Sequence, residues 1–137
     1  MTSTHTAPVS RPTGRDLLRI ALLLDAGVTG LNGIGYLAGA GLLDRVLGLP
    51  AGWLYAAGGF LLAYGLAVAV LATRALISRP ATEVVIGVNA VWALGSLIMV
   101  ALGAGSPTTV GAGWLVAQAL VVGGFAALQV LALRRGR

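Results

Sequence analysis

The sequence lacks cysteine and lysine, and only 9% of its 137 residues are charged. Without cysteine the chain has no disulfide, no thiolate metal ligand and no cysteine nucleophile. A typical soluble domain carries about 25% charged residues, because water must solvate its surface. The scarcity of charge excludes a conventional water-facing surface. Together with 58% hydrophobic residues, it indicates that lipid surrounds much of the chain.

Four long apolar segments alternate with short connections. A hydrocarbon core about 30 Å thick is crossed by roughly 20 apolar residues in a helix. The connections carry proline, glycine, serine or charge, which are typical of loops. The sequence therefore predicts an all-α, transmembrane four-helix bundle over residues 20–133, between a flexible leader at 1–19 and a basic tail at 134–137. The four predicted spans are residues 20–43, 53–72, 84–102 and 110–133.

Arginine is distributed unequally between the two sides of these spans. Eight of the nine arginines flank the start of span one, the connection between spans two and three, or the end of span four, and Arg45 lies alone on the other side. The positive-inside rule assigns the arginine-rich side to the cytoplasm. Trp53 and Trp114 open spans two and four on the opposite side, where aromatic rings act as interface anchors. We predict a multi-pass inner (plasma) membrane protein with a cytoplasmic leader, tail and termini.

The N-terminal region has one competing interpretation. An arginine-bearing start, an apolar run and "AGA" at residues 38–40 imitate a cleaved signal peptide. The apolar run is too long for such a peptide and contains Asp25, so we expect the segment to be retained as the first span.

The two halves of the chain show an internal similarity. "AGWL" occurs at residues 51–54 and again at 112–115, and Asp25 and Asn32 align with Asn89 and Ser96. Both halves thus read as tandem helical hairpins, and such parallel repeats are related by an axis along the membrane normal. Coincidence is the alternative, because the frequent Ala, Leu, Val and Gly residues match easily by chance.

Span one carries a stripe of polar side chains. Asp25, Thr29, Asn32 and Tyr36 are spaced four, three and four residues apart and share one helix face. An aspartate near the centre of a span raises the free energy of membrane insertion by about 2.5–3.5 kcal/mol. Each leucine or isoleucine lowers it by only about 0.3–0.6 kcal/mol. We therefore expect this face to turn toward neighbouring helices.

A hydrogen-bond partner of Asp25 has to lie at a similar depth in the membrane. With a rise of about 1.5 Å per residue, Asn89 falls at a depth similar to that of Asp25, whereas Gln129 falls closer to the surface. We predict Asn89 as the main partner, with Tyr64 near the midplane as another. The candidate intramembrane polar site comprises Asp25, Thr29, Asn32, Tyr36, Tyr64, Asn89, Ser96 and Gln118.

Small residues mark possible packing faces. Gly35 and Gly39 form a GxxxG step, and Gly59, Ala63 and Ala67 form a ridge on span two. In lipid, helices associate through such small faces because hydrophobicity favours lipid contacts as much as helix contacts. We expect these faces to serve the bundle, with a dimer as the alternative.

No motif indicates chemistry. The sequence contains no paired-carboxylate or histidine-containing catalytic set, no metal-ligand spacing and no phosphate-binding glycine loop. We therefore expect neither an enzyme nor a cofactor, and no nucleic-acid partner, because the arginines flank apolar segments. The expected partners are the lipid bilayer and either a second copy or another membrane protein.

Two functions fit these features. A non-enzymatic accessory or structural membrane component is favoured, with Asp25 as a structural hydrogen-bonding residue. The alternative is a small proton- or cation-linked transporter that uses Asp25, because an acid inside the membrane is a candidate functional group.

Several runs resemble a known group of sequences. The runs "LLLDAGVTGLNG", "NAVWALGS" and "PTTVGAGWLVAQALVV", within residues 17–137, resemble a family of small uncharacterised four-span bacterial integral membrane proteins. The resemblance implies the architecture and no activity. The chain is also similar in architecture to small multidrug resistance transporters, which carry one acid in the first span. Asp25 matches that acid in position, but it replaces a glutamate and the characteristic first-span motif is absent.

Overall fold

The structure is a computed structural model that describes residues 13–135. Four α-helices account for most of these residues, and none of the described residues forms a β-strand. The helices are α1 (Gly14–Leu47), α2 (Ala51–Thr73), α3 (Arg79–Leu102) and α4 (Thr109–Arg135). Each helix is long and apolar enough to cross a membrane. The predicted all-α four-helix bundle is confirmed, and the chain is an integral membrane protein.

α1 begins earlier than the sequence predicted. The Thr13 hydroxyl accepts a hydrogen bond from the Asp16 backbone N–H, and the Asp16 carboxylate accepts one from the Thr13 N–H, both at 3.3 Å. This capping box starts the helix at Gly14. The predicted leader at 1–19 is therefore too long, because residues 14–19 are helical, and residues 1–12 lie outside the described residues.

α3 and α4 also extend beyond their predicted spans. Ser78 caps α3 by accepting a hydrogen bond from the Ala81 N–H, and Pro80 stands in the first turn, where a helix needs no N–H donor. α4 continues through Arg135, so the predicted tail at 134–137 starts inside a helix, and residues 136–137 lie outside the described residues. The hydropathy pattern missed these turns because they are polar.

The helices run alternately up and down. α1 packs along α2, α3 packs along α4, and α1 also packs against α4, whereas α2 and α3 barely approach. α1 and α3 consequently lie diagonally across the bundle. The start of α1 and the ends of α2 and α4 lie at one end, called here the arginine end. The opposite end is called the tryptophan end, after Trp53 and Trp114.

Glycines allow α1 and α2 to approach closely. A Cβ atom at Gly33 would lie 2.7 Å from the Leu62 backbone N and 2.8 Å from the Gly58 carbonyl O. A Cβ atom at Gly65 would lie 2.9 Å from the Gly30 backbone N. Only glycine fits at these positions, so small residues set the distance between the two helices.

The predicted small-residue faces do not make this contact. Nothing lies within 4 Å of a Cβ built at Gly35 or Gly59, and a Cβ at Gly39 meets only Leu43 of the same helix. The polar stripe decides which face of α1 is buried, and Gly33 falls between Thr29 and Tyr36 on that stripe. GxxxG spacing alone therefore did not identify the glycines at which α1 and α2 approach each other.

An arginine closes the arginine end of the α1–α2 pair. Arg19 Nη1 donates hydrogen bonds to the carbonyl oxygens of Ala72 at 2.6 Å and Arg74 at 3.0 Å. The last carbonyls of a helix have no partner within the helix. Arg19 therefore satisfies the C-terminus of α2 and places a positive charge where the helix dipole favours one.

The tryptophan end joins α1 to α4. The Thr108 backbone N–H donates to the Leu47 carbonyl at 2.9 Å, and the Thr108 hydroxyl accepts from the Gly111 N–H at 3.0 Å. Gly48 ends α1 in the left-handed conformation, with φ of 73°. Thr108 thus satisfies the last turn of α1 and the first turn of α4 together.

Large apolar side chains cover the outside of the bundle. Leu31, Val91 and Leu120 belong to three different helices and are 70%, 69% and 70% exposed. A soluble monomer rarely exposes apolar patches larger than a few hundred Å². This surface is suited to lipid contact.

Candidate functional site

Polar side chains from all four helices meet inside the bundle, and we call this group the Asp25 cluster. Asn89 Nδ2 and Gln129 Nε2 donate hydrogen bonds to Asp25 Oδ2 at 2.6 and 2.8 Å. The Thr29 hydroxyl donates to Asp25 Oδ1 at 2.9 Å. Both carboxylate oxygens therefore have donors. The cluster consists of Asp25, Thr29, Tyr64, Asn89 and Gln129.

The two amides of the cluster are also paired. Asn89 Nδ2 lies 3.2 Å from Gln129 Oε1, and the Tyr64 hydroxyl lies 3.1 Å from both Asn89 Oδ1 and the Val85 carbonyl O. Asp25 and Gln129 are 0% exposed. The Asp25 carboxylate and the Gln129 amide are therefore buried in a helix contact in which the polar atoms satisfy one another.

No cation compensates the Asp25 carboxylate within the described part of the chain. The one ion pair among residues 13–135 joins Arg79 to Glu83 on the surface of α3, with an N–O distance of 3.4 Å. Arg74, at the end of α2, makes no hydrogen bond or ion pair with Asp25 among the described contacts. Neutral donors alone hold the carboxylate, and hydrogen bonds to a carboxylate are stronger than those between neutral groups.

The structure shows the predicted Asp25–Asn89 contact and adds a residue that depth counting misplaced. Gln129 was predicted to lie nearer the surface, yet it donates directly to Asp25. The helix ends lie at different heights: Asp25 follows the start of α1 by eleven residues, whereas Gln129 precedes Arg135 by only six. The spacing between Gln118 and Gln129 could have indicated that Gln129 points into the bundle. Eleven residues are about three helical turns, so both glutamines lie on one face of α4.

A second group of polar side chains lies nearer the tryptophan end, and we call it the Gln118 cluster. Gln118 Oε1 accepts hydrogen bonds from the Tyr36 hydroxyl at 2.9 Å and from Asn32 Nδ2 at 3.3 Å. Trp114 Nε1 donates to the Tyr36 hydroxyl at 2.7 Å. The stripe predicted on span one therefore serves two separate clusters. The second comprises Asn32, Tyr36, Trp114 and Gln118.

The remaining predicted residues occupy other settings. The Ser96 hydroxyl donates to the Trp92 carbonyl of its own helix at 2.8 Å and joins neither cluster. Trp53 is half-exposed, as an interface anchor would be. Trp114 uses its N–H inside the bundle, so that group is not free for the membrane interface. Anchoring by the two tryptophans stays a prediction.

The site offers few groups for chemistry. Among residues 13–135 no group of three His, Cys, Asp or Glu side chains lies close enough to hold a metal ion. Asp25 is the one acid of the two clusters, and its neighbours are amides and hydroxyls. The contacts described can fix the relative positions of helices.

Comparisons with protein-family models, with curated proteins and with solved structures gave no match to this chain. The resemblance to small four-span bacterial membrane proteins therefore stays a prediction.

Proposed function

We propose that this integral membrane protein is a non-enzymatic structural or accessory component of the inner membrane. The observation that supports the proposal best is the burial of Asp25, which is 0% exposed and accepts hydrogen bonds on both carboxylate oxygens. A group that carries a proton or cation must reach water on each side in turn. A sealed carboxylate favours a structural role over transport.

The role of the Asp25 cluster follows from the weak forces between helices in lipid. Interhelical hydrogen bonds in a membrane contribute about 0.6 kcal/mol on average and up to about 1.7 kcal/mol. α1 and α3 have no close backbone contact, so the Asp25–Asn89 bond supplies a direct link across the diagonal. Several such bonds at one level fix which helix faces meet.

The orientation belongs to the same proposal, with both termini in the cytoplasm. Its support is the distribution of charge, since the positive-inside rule assigns the arginine end to that side. Arg45 stands alone at the tryptophan end among the described arginines. The described arginines at the arginine end are Arg15, Arg19, Arg74, Arg79, Arg134 and Arg135.

An accessory role implies a partner, which we propose is a second copy or another membrane protein. Gly59, Ala63 and Ala67 support this proposal, because they form an exposed ridge of small residues on α2 and no atom lies within 4 Å of a Cβ built at Gly59. Such open small-residue positions allow another helix to approach closely.

Asp25→Asn separates a structural role from transport. The Asn oxygen can accept from Asn89 and Gln129 while its nitrogen donates to the Thr29 hydroxyl, so the variant is expected to fold. Purified wild-type protein and the variant are reconstituted in vesicles, and proton and cation fluxes are measured against protein-free vesicles. We expect no protein-dependent flux from either. Asp44→Asn is the matched control, because Asp44 lies on the same helix outside both clusters.

A reproducible flux of the wild-type protein would contradict the proposal, above all if Asp25→Asn abolishes that flux and Asp44→Asn preserves it. Asp25→Leu supplies the structural test, since leucine leaves the Asn89 and Gln129 donors without their acceptor. We expect Asp25→Leu to lower the free energy of unfolding by about 1–3 kcal/mol. An unchanged stability would show that the cluster does not hold the bundle.

A further inference from the structure

Three arginines line one pocket at the arginine end of the bundle. Arg15 and Arg19 lie one turn apart on the same side of α1, and Arg79 is the first residue of α3. None of the described residues that line this pocket is acidic, and its volume is about 160 Å³. The pocket is therefore a small space that receives positive charge from two helices.

The two acids near this end leave the pocket positively charged. The Asp16 carboxylate accepts the hydrogen bond from the Thr13 N–H that caps α1. Glu83 pairs with Arg79 over 3.4 Å, but the two side chains are 60% and 42% exposed, and an exposed pair of this kind contributes little stability. Arg15 forms no ion pair with any described residue. An anion in the pocket can therefore replace Glu83 beside Arg79 and meets no competitor at Arg15.

Arg19 is held in place beside the pocket. Its Nη1 atom donates to the carbonyl oxygens of Ala72 and Arg74, whereas its Nε and Nη2 atoms donate to none of the described residues. A guanidinium carries five N–H donors in a planar fork that matches the oxygens of a phosphate group. Arg19 can thus bind the end of α2 and an anion together. Because its side chain is already ordered, binding the anion costs little conformational entropy.

Most of the remaining lining is apolar. Leu18 and Ala132 are buried, Ile77 and Leu133 are partly buried, and Leu76, in the α2–α3 connection, is 75% exposed. A leucine exposed at the end of a transmembrane helix is stabilised by contact with lipid, which removes its apolar surface from water. The pocket therefore combines guanidinium donors with apolar contacts, as the headgroup region of a phospholipid requires.

We propose that this pocket binds the phosphate group of an anionic phospholipid. The guanidinium groups of Arg15, Arg19 and Arg79 donate to the phosphate oxygens, and Leu76 contacts the lipid next to its headgroup. The pocket is smaller than the about 300–1,000 Å³ of typical small-molecule sites, so the acyl chains lie outside it along the apolar helices. Basic pockets between transmembrane helices are suited to anionic headgroups. This binding site goes beyond the structural role proposed above.

A phosphate group can come from a lipid or from a free ion, and the apolar lining favours the lipid. A free phosphate ion gains nothing from contact with Leu76, whereas a phospholipid removes apolar surface from water there. The headgroup is anionic because the choline of a zwitterionic lipid would bring a further cation close to three arginines. Phosphatidylglycerol is therefore the probe, and phosphatidylcholine with the same acyl chains is its comparison.

Lipid binding is measured on the full chain in a neutral detergent. Native mass spectrometry counts the lipid molecules that remain bound to the protein as each of the two lipids is titrated separately. We expect one saturable site that prefers phosphatidylglycerol about tenfold. Arg15→Gln should weaken the binding of phosphatidylglycerol about fivefold, because it removes one guanidinium from the phosphate. Arg79→Gln should have a similar effect from the second helix.

Two other arginines supply matched controls. Arg135→Gln removes a charge from the same end of the bundle, but Arg135 does not line the pocket. Arg45→Gln removes the arginine at the tryptophan end. Both variants should bind phosphatidylglycerol as the wild type does. Arg15 makes none of the described side-chain hydrogen bonds between helices, so Arg15→Gln should unfold at the wild-type temperature, which separates lost binding from lost folding.

Equal affinity for the two lipids would overturn the proposal. Equal losses in Arg15→Gln and Arg135→Gln would also overturn it, because binding would then follow net charge and not the pocket. Competition with inorganic phosphate at constant ionic strength, with chloride as the control salt, distinguishes the two sources of phosphate. We expect phosphate to displace no more phosphatidylglycerol than chloride does. Greater displacement by phosphate would overturn the lipid assignment, because the pocket would then bind the free ion.

Discussion

Asn89 Nδ2 donates to Asp25 Oδ2 over 2.6 Å and thereby joins α1 and α3, the two helices that face each other across the diagonal of the bundle. These two residues hold matching positions in the two predicted hairpins. A parallel repeat has its axis along the membrane normal, so equivalent side chains near that axis should meet. The contact agrees with the predicted duplication, which stays a prediction.

The two sides of the bundle nevertheless differ. In a perfect repeat the α1–α4 and α2–α3 contacts would be equivalent, yet α2 and α3 barely approach. Phe60 of α2 stacks on Trp92 of α3 with centroids 5.7 Å apart and fills the space between these helices. α2 and α3 therefore meet through large aromatic rings, without a close backbone contact.

The first prediction concerns the diagonal bond. Asn89→Leu removes one donor to Asp25 and the acceptor of the Tyr64 hydroxyl, so we expect the free energy of unfolding to fall by about 1–3 kcal/mol. Unfolding is followed by circular dichroism as a denaturing detergent replaces a mild one. Asn32→Leu is the control, because Asn32 makes one bond of 3.3 Å in a part-buried setting. Equal losses in both variants would contradict a special role for the diagonal bond.

The coupling between the partners gives an independent measurement. In a double-mutant cycle, the combined Asp25→Leu and Asn89→Leu variant should lose less free energy of unfolding than the sum of the two single variants. Each single change leaves a buried polar partner without its hydrogen bond, whereas the double change removes both partners. The coupling free energy is expected to be about 0.5–3 kcal/mol. Additive losses would mean that the two side chains stabilise the bundle separately.

The existence of four helices could be predicted because lipid permits few alternatives. Every backbone polar group inside a bilayer needs a partner within the protein, so a long apolar run becomes a helix. The ends could not be predicted from hydropathy, since they depend on local polar bonds such as the capping box of Thr13 and Asp16.

The candidate site was predictable only in part. The spacing of Asp25 and Thr29 along one helix face determined their common cluster, because a helix fixes which residues share a side. Gln129 could not be placed by counting from its span end, since the bundle offsets its helices along the membrane normal. The formation of a second cluster around Gln118 likewise could not be predicted, because it depends on how α4 is rotated against α1.

The second prediction compares two glycines on α1. Gly33→Ala places a Cβ within 2.7 Å of the Leu62 backbone N, whereas Gly35→Ala meets nothing within 4 Å. Backbone atoms cannot move aside easily, so Gly33→Ala should lower the free energy of unfolding by about 1–3 kcal/mol. Gly35→Ala should leave it unchanged or raise it by up to about 1 kcal/mol, because alanine favours helix. A destabilising Gly35→Ala variant would argue that this face packs against another helix.

The third prediction concerns the C-terminus of α2. Arg19→Gln removes the guanidinium that binds the carbonyls of Ala72 and Arg74, and we expect a loss of about 1 kcal/mol in the free energy of unfolding. Arg15→Gln serves as the control, because Arg15 lies one turn earlier on α1 and makes none of these hydrogen bonds. If the two variants unfold alike, the charge of the arginine end matters more than the specific bonds of Arg19.

The fourth prediction tests the orientation. A fluorescent reporter that matures only in the cytoplasm, fused after Arg137, should fluoresce because arginine is held on that side of the membrane. The same reporter fused after Gly105, in the α3–α4 connection, should stay dark because it is carried across the membrane. An alkaline phosphatase that is active only outside the cytoplasm should give the reverse pattern at both positions. Phosphatase activity after Arg137 would contradict the proposed cytoplasmic termini, because the arginine end would then face outward.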